Sequence, residues 1–404
     1  MTMPEPAALS PARLARLHDV LAGHVHRGAV SGAVALVERR GQLHLDTVGH
    51  HALDGAQPMR PDSLFRIASV TKPITAVAGL MLVEDCVFGL DDPVDELLPE
   101  LADRRVLRRL DGPLEDTVPA ERPITVRDLF TFQLGYGVVL AEPDSLPIQR
   151  AWSQRRLGGT GPPRPARFPA ADEWLRRLGE LPLMHQPGER WMYDTGADVL
   201  GVLIARATGQ PLETVLRRRI FEPLGMPDTG FSVPADQLSR LVTSYDTDPD
   251  NGVLSIFDGV SDSEWLAPTF ASGAGGLVST AADLAAFGRM MLNEGRYPGG
   301  RLLSRPTVRA LLLDQLSPAQ KAASHPQVWG FGHCGWGLGL SVVNHWQPGR
   351  PGGFGWDGGL GTSWYFDPAE DLLGVLLTQS TFTSPSGPAI LRDFWTCAYA
   401  AIAD

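Results

Sequence analysis

The chain has 404 residues, 43% hydrophobic and 20% charged, which is the composition of an ordinary globular protein. Its formal net charge of −11 argues against a nucleic-acid partner. No apolar run reaches the roughly 18 residues that a membrane span needs, and the N-terminus lacks the basic and then apolar pattern of a secretory signal. We therefore expect no membrane association and a cytoplasmic location.

The N-terminal region predicts a helix followed by two strands. Ser10 and the proline after it are typical of a helix start, and apolar residues then recur at helical spacing over about residues 11–26. Residues 31–38 and 42–48 read as two strands joined by a tight turn.

A second helix is predicted to begin near Ser69. Pro73 is tolerated only in the first turn of a helix, which fixes the start. Beyond Lys72 the sequence is apolar on nearly all sides, so we expect this helix to be buried.

The sequence predicts that the middle of the chain is predominantly helical. Residues 123–134, 194–219 and 281–292 have helical patterns, and Gly209 is a stop signal within the second of them. Residues 141–170 are rich in proline and glycine without periodicity, which predicts a long surface excursion near the active site.

The C-terminal part changes to a strand pattern. Residues 335–343, 358–366 and 372–378 are strand candidates, and residues 389–402 form a closing helix. With the two N-terminal strands, this gives a five-stranded antiparallel sheet that pairs the two ends of the chain and is flanked by terminal helices.

We therefore predict an α/β domain with an inserted helical domain. The discontinuous α/β domain takes residues 1–65 and 326–404, and the mostly helical domain takes residues 66–325. The active site is expected between the two domains.

The residues with the clearest chemistry are Ser69 and Lys72. Only Lys72 and Lys321 are lysines among the 35 basic residues, so a lysine is kept where an arginine cannot replace it. At positions i and i+3 of one helix, Ser69 and Lys72 can touch. We expect burial to lower the pKa of Lys72, so that its amine can act as a base toward the Ser69 hydroxyl.

This nucleophile segment resembles that of the penicillin-recognising serine enzymes, in particular class C β-lactamases, DD-peptidases and the related family VIII carboxylesterases. The nucleophile segment spans residues 63–72, and further similar stretches follow in the family's order at residues 89–93, 124–129, 186–193, 225–227, 275–283 and 335–339. The resemblance covers most of residues 60–380, and it implies an all-α domain inserted into an α/β domain.

The resemblance also implies the second motif of the site, at residues 193–195. Tyr193 carries over as the phenol that shuttles a proton with Lys72. Thr195 departs from the family's asparagine, and we expect its hydroxyl to keep part of the substrate-binding role.

The third motif is implied at residues 356–358, where Trp356 replaces the family's Lys or His. Trp356, Asp357 and Gly358 are therefore candidate substrate-binding residues. By resemblance, the backbone N–H groups of Ser69 and Gly359 would form the oxyanion hole.

These departures favour an ester substrate. A tryptophan cannot hold a substrate carboxylate as a cation does, and a Trp at this position is the pattern of the family's carboxylesterases. Five of the ten tryptophans lie in the C-terminal β region, at positions 329, 336, 346, 356 and 364. Most are expected in the core, while Trp356 and Trp346 are candidates for an apolar pocket.

We predict a serine hydrolase that cleaves a small-molecule ester, or less favourably an amide, without a cofactor. The alternatives are a β-lactamase, a D-amino-acid amidase or peptidase, an acyltransferase, and a non-enzymatic sensor acylated at Ser69. The histidine spacing and three cysteines indicate no metal site and no disulfide framework, and we expect the cysteines to be buried. The oligomeric state is left open.

Overall fold

The computed structural model describes residues 8–158, 161–325, 330–343, 352–384 and 387–404. Its α-helices are α1 (Pro11–His26), α2 (Thr71–Glu84), α3 (Val126–Phe130), α4 (Pro147–Arg155), α5 (Ala171–Gly179), α6 (Thr195–Thr208), α7 (Leu212–Leu216), α8 (Glu222–Leu224), α9 (Ala281–Leu292), α10 (Arg305–Leu311), α11 (Pro318–Ala323) and α12 (Ala389–Ala400). No helix in these ranges is long and apolar enough to cross a lipid bilayer.

The strands are β1 (Gly32–Arg39), β2 (Gln42–Gly49), β3 (Phe65–Arg66), β4 (Arg105–Leu107), β5 (Thr117–Pro119), β6 (Ser244–Thr247), β7 (Leu254–Asp258), β8 (Val278–Ser279), β9 (Arg296–Tyr297), β10 (Gly300–Arg301), β11 (Cys334–Trp336), β12 (Ser341–Val343), β13 (Gly353–Gly358), β14 (Thr362–Asp367) and β15 (Leu372–Leu377). The main sheet has the strand order β11-β12-β13-β14-β15-β1-β2 and is antiparallel throughout. Strand β1 pairs with β15, with Val34 opposite Leu377, so the two ends of the chain meet in one sheet as expected.

The main sheet has seven strands, two more than the sequence suggested. The strand predicted over residues 335–343 is a hairpin of β11 and β12. Strand β13 was missed because it is rich in glycine, which is depleted in strands. Close packing explains one of these glycines, since a Cβ on Gly355 would lie 2.1 Å from the Trp364 carbonyl oxygen.

The main sheet is covered on both faces, as the alternation of β1 shows. Val34 and Leu36 belong to the large core that includes α2 and α9. Ala35, on the opposite face, packs in a second core with Leu17 of α1 and Phe394 of α12. Because successive strand residues point to opposite faces, one apolar strand serves both cores. The division into two domains by residue range remains a prediction.

The helices with clear end signals match their predictions. Helix α1 begins at Pro11, and α6 ends before Gly209, whose φ of 64° is left-handed. In α2, all residues from Thr71 to Leu82 are buried, as expected.

Three expectations about the helical region differ from the structure. The helix predicted over residues 123–134 shortens to the five residues of α3. The predicted irregular excursion contains α4, whose start is fixed by the Gln149 side chain accepting a hydrogen bond from the Leu146 N–H at 3.0 Å. The expectation of buried cysteines is wrong, because Cys86 is exposed just beyond α2 and Cys334 and Cys397 are only partly buried.

Candidate active site

The predicted site residues other than Lys72 and Gly358 line one cleft with a volume of about 1030 Å³. Ser69 enters it from the turn before α2, Tyr193 from the segment before α6, and Trp356 and Gly359 from the end of β13. Residues from the segments 137–158 and 161–163 also line the cleft. The structure therefore brings together residues that lie far apart in the sequence.

Ser69 lies in a 3₁₀ turn, Ala68–Val70, that runs directly into α2. The preceding residue, Ala68, has a φ of 45°, a left-handed conformation that is strained for a residue with a Cβ. The Ser69 Oγ lies 2.8 Å from the Lys72 Nζ and 2.6 Å from the Tyr193 hydroxyl oxygen. The hydroxyl thus contacts both of its expected proton-handling partners.

The Lys72 amine is fully enclosed, with 1% of the residue exposed. It donates to the Ser69 Oγ at 2.8 Å and to the Ala274 carbonyl oxygen at 2.7 Å, and it lies 3.4 Å from the Asp194 Oδ2. Three acceptors match the three protons of an ammonium group.

The electrostatics of Lys72 differ from the sequence-based expectation. Burial does favour the neutral amine, but the Tyr193 oxygen and the carboxylates of Asp194 and Asp198 outweigh it, and the pKa of Lys72 is raised above its ordinary value. The expectation of a lowered pKa was therefore wrong, because it considered burial without the carboxylates that the fold brings in from a distant segment. In the resting site Lys72 is an ammonium group.

Tyr193 is held by aromatic neighbours and by one polar contact. The Trp356 Nε1–H donates to its hydroxyl oxygen at 2.8 Å. The Trp191 ring stacks on it at a centroid distance of 5.5 Å, and the Lys72 Nζ lies 4.4 Å from the ring centre. Trp356 is therefore more than part of an apolar wall, since its indole N–H donates to the Tyr193 hydroxyl oxygen.

The rest of the third motif turns at the end of β13. A Cβ on Gly358 would lie 2.3 Å from the Ile67 carbonyl oxygen, so glycine is required for the close approach to the nucleophile segment. Gly359 lines the cleft beside Ser69, and its carbonyl accepts from the Phe382 N–H at 2.9 Å. Asp357 accepts from the Ser363 hydroxyl at 2.5 Å and also borders the cleft.

The fate of the predicted tryptophans varies. Trp336 and Trp364 are core residues with 1% and 0% exposure. Trp329 and Trp346 lie outside the described residues.

Two carboxylates of the site were missed in the sequence. Thr195 lines the cleft as expected, but the side chain that approaches Lys72 is that of Asp194. Asp198, on the first turn of α6, lines the cleft, accepts from the Ser272 hydroxyl, and has its pKa raised to about 7 by burial and by Asp194. A carboxylate inside the otherwise apolar run of α6 was the signal that could have identified it.

Known proteins are similar to this chain over most of its length. A family model described as Beta-lactamase matches residues 17–392. Protein Rv1367c of Mycobacterium tuberculosis is 39% identical over 362 residues, which cover 87% of this chain and 86% of that protein. Esterase EstB of Burkholderia gladioli is 33% identical over 401 residues, which cover 94% of each.

A solved structure supports the fold. EstCE1, described as a hydrolase with promiscuous acyltransferase activity, has a TM-score of 0.76 at 23% identity, with 95% of this chain and 98% of that chain covered. At this level of sequence identity, the structural similarity supports the fold alone.

Proposed function

Because the chain belongs to the β-lactamase family, we propose that it is a serine hydrolase that cleaves carboxylic esters through an acyl-enzyme on Ser69. The observation that carries this proposal is the contact of the Ser69 Oγ with both the Lys72 amine and the Tyr193 hydroxyl, at 2.8 and 2.6 Å. A nucleophile in contact with a proton acceptor and a fixed positive charge is the arrangement that acyl transfer needs.

In the acylation step, Tyr193 acts in its phenolate form: the Ser69 Oγ attacks the ester carbonyl carbon while its proton passes to the phenolate oxygen, which becomes the neutral hydroxyl. The Lys72 ammonium and the Trp356 N–H stabilise the negative charge that Tyr193 carries during the transfer. The backbone N–H groups of Ser69 and Gly359 stabilise the tetrahedral oxyanion. When the intermediate collapses, the C–O bond to the alcohol breaks, and Tyr193 returns the proton to the leaving oxygen.

In the second step, water replaces the alcohol and the same groups act in reverse. Tyr193 takes a proton from the water, the hydroxide attacks the acyl carbon, and the Ser69 Oγ leaves with a proton from Tyr193. An alcohol or amine in place of water would make the enzyme an acyltransferase. This second candidate is favoured by the size of the cleft, about 1030 Å³, at the upper end of the range for small-molecule sites.

The cleft favours neutral esters over the anionic substrates of β-lactamases and DD-peptidases. Among the described residues, its lining includes four carboxylates, with Arg392 and His333 as the basic side chains. Aromatic rings, among them Trp152 and Phe168, supply an apolar surface for an acyl or alcohol group. A substrate carboxylate therefore meets little positive charge to hold it.

The test is hydrolysis of a p-nitrophenyl ester series of increasing acyl length, with nitrocefin as the β-lactam. We expect turnover of the esters and little of nitrocefin, and we expect Ser69→Ala to lower kcat/KM by at least about 1000-fold. Lys72→Arg keeps the positive charge but not the geometry of the amine, so this variant should also lose ester turnover. Efficient nitrocefin cleavage without ester turnover would overturn the esterase assignment.

Intact-mass measurement after substrate addition separates an enzyme from an acylated sensor. A transient mass increase that is absent in Ser69→Ala supports the enzyme. A permanent acyl adduct on Ser69 would identify a sensor instead.

A further inference from the structure

Asp198 is one of the carboxylates of the cleft to which the mechanism above gives no step. It lies on the first turn of α6 and lines the cleft, where it is partly buried. The fold places it beside the residues that hold the Lys72 ammonium. The inference drawn from it rests on the proposed function.

The contacts of Asp198 are concentrated on one oxygen. Its Oδ1 accepts from the Ser272 hydroxyl at 2.7 Å and from the Ala274 N–H at 3.0 Å. The carbonyl of the same residue, Ala274, accepts from the Lys72 Nζ at 2.7 Å. Asp198 is therefore linked to the catalytic ammonium through a single residue.

The segment between these contacts has little room to move. The Thr75 hydroxyl donates to the Gly273 carbonyl at 2.9 Å, and a Cβ on Gly273 would lie 2.6 Å from the Ala197 carbonyl oxygen. A shift at Asp198 is thus passed to the Ala274 carbonyl rather than absorbed by the backbone.

We propose that Asp198 is a positioning residue that holds the Lys72 ammonium in place, through its negative charge and through its hydrogen bonds to Ser272 and Ala274. In its ionised form it attracts the ammonium and accepts both hydrogen bonds. When Asp198 is protonated, this attraction is lost and the two hydrogen bonds weaken. Lys72 then supports the proton transfer between Ser69 and Tyr193 less well.

The charged groups that face Asp198 fix the direction of its pH dependence. These are Asp194, on the segment before α6, and Lys72, on α2. Burial and Asp194 raise the pKa of Asp198 to about 7, and Ser272, Ala274 and Lys72 oppose them. The carboxylate is therefore protonated below about pH 7, and activity is expected to rise as the pH increases through that value.

The experiment compares the pH dependence of kcat and KM for p-nitrophenyl butyrate in wild type, Asp198→Asn and Asp198→Ala. We expect Asp198→Asn to lower kcat about 10- to 100-fold with little change in KM, and to lose the rise near pH 7. Asp198→Ala, which also removes the acceptor oxygen, should lose more than Asp198→Asn.

Asp283→Asn is the matched control. Asp283 is also a carboxylate in the first turn of a helix, α9, with its pKa raised to about 6, and it bonds Thr229. It should keep the wild-type kcat and pH profile. An equal loss in Asp283→Asn, or a wild-type profile in Asp198→Asn, would overturn the proposal.

Ser272→Ala is a second variant that leaves the carboxylate in place. Because the Ser272 hydroxyl stabilises the ionised form, its removal should move the rise in activity to higher pH. An unmoved rise contradicts the role of Asp198.

Labelling of Ser69 with a phosphonate ester, followed by mass spectrometry, keeps the two proposals apart. A wild type that is labelled at Ser69 and hydrolyses esters supports the proposed function, whatever Asp198 does. Absence of labelling in the wild type counts against the function itself.

Discussion

Trp356 shows how one residue replaces the chemistry of another. The resemblance places Lys or His at this position, and here the donor to the Tyr193 oxygen is a neutral indole N–H at 2.8 Å. The hydrogen bond is kept, while the positive charge that would attract a substrate carboxylate is lost. In the proposed mechanism, the same substitution therefore preserves the proton shuttle and favours neutral substrates.

Trp356→Phe tests the role of this donor. Since the indole N–H bonds an oxygen that becomes charged during proton transfer, its loss should lower kcat about 10- to 100-fold while KM changes little. Trp356→His, which restores a donor, should recover part of kcat in the same ester assay.

Trp336→Phe is the control for this substitution. The centroids of the Trp336 and Trp356 rings are 4.9 Å apart, but the Trp336 N–H donates to the Phe130 main-chain carbonyl. We expect Trp336→Phe to lower the melting temperature without a selective loss of kcat. If both substitutions lower kcat equally, the Trp356 N–H has no special role.

The sequence identified the reacting groups better than their surroundings. The scarcity of lysine and the spacing of Ser69 and Lys72 were visible locally. The sign of the Lys72 pKa shift was not, because the groups that raise this pKa against burial, the Tyr193 oxygen and the carboxylates of Asp194 and Asp198, surround Lys72 only in the folded protein. Local patterns predict which side chains react, whereas the electrostatics depend on tertiary contacts.

The same distinction applies to whole elements. Helices α1, α6 and α9 could be predicted because their ends are marked by Pro11, Gly209 and Thr280, which act through the backbone of their own segment. Strand β13 could not, because its glycines are required by neighbours from β14 and from the nucleophile segment.

Helix α2 gives an element-scale prediction through Gly79. Alanine normally stabilises a helix by about 1 kcal/mol over glycine. Here a Cβ would lie 2.7 Å from the buried Phe130 ring and 3.2 Å from Leu200, so the cost of overpacking, about 1–3 kcal/mol, should exceed that gain. We expect Gly79→Ala to lower the free energy of unfolding, measured by urea denaturation.

Gly23→Ala, inside α1, is the matched substitution. Its Cβ would meet only the end of the flexible Arg27 side chain, at 3.2 Å. The free energy of unfolding should rise by roughly 0.5–1 kcal/mol, the difference in helix propensity. Equal stabilisation by both substitutions would mean that the contact of α2 with α3 is looser than these distances indicate.

At the scale of the whole molecule, the sheet beside the site is built from strands of both ends of the chain. Strands β1 and β2 complete a sheet whose other strands follow the helical region, and β13 carries Trp356 to the nucleophile at the start of α2. Pairing of β1 with β15 joins the N-terminal strands to the sheet that carries Trp356.

The charge of the whole molecule leads to a prediction about substrate choice. The chain carries 46 acidic against 35 basic residues, and the described cleft lining is itself rich in carboxylates. An anionic ester approaches against this field, so its kcat/KM should lie below that of a neutral ester of the same size. Salt screens the repulsion, and the difference should narrow between about 0.01 and 1 M ionic strength.

Asp144→Asn tests whether the cleft itself contributes to this discrimination. Asp144 is exposed at the cleft rim and has a φ of 54°, which asparagine adopts readily, so the substitution removes charge with little strain. We expect the variant to gain activity on the anionic ester at low salt and to keep its activity on the neutral one. If the anionic and neutral esters are hydrolysed equally at every salt concentration, the carboxylates of the cleft do not select the substrate.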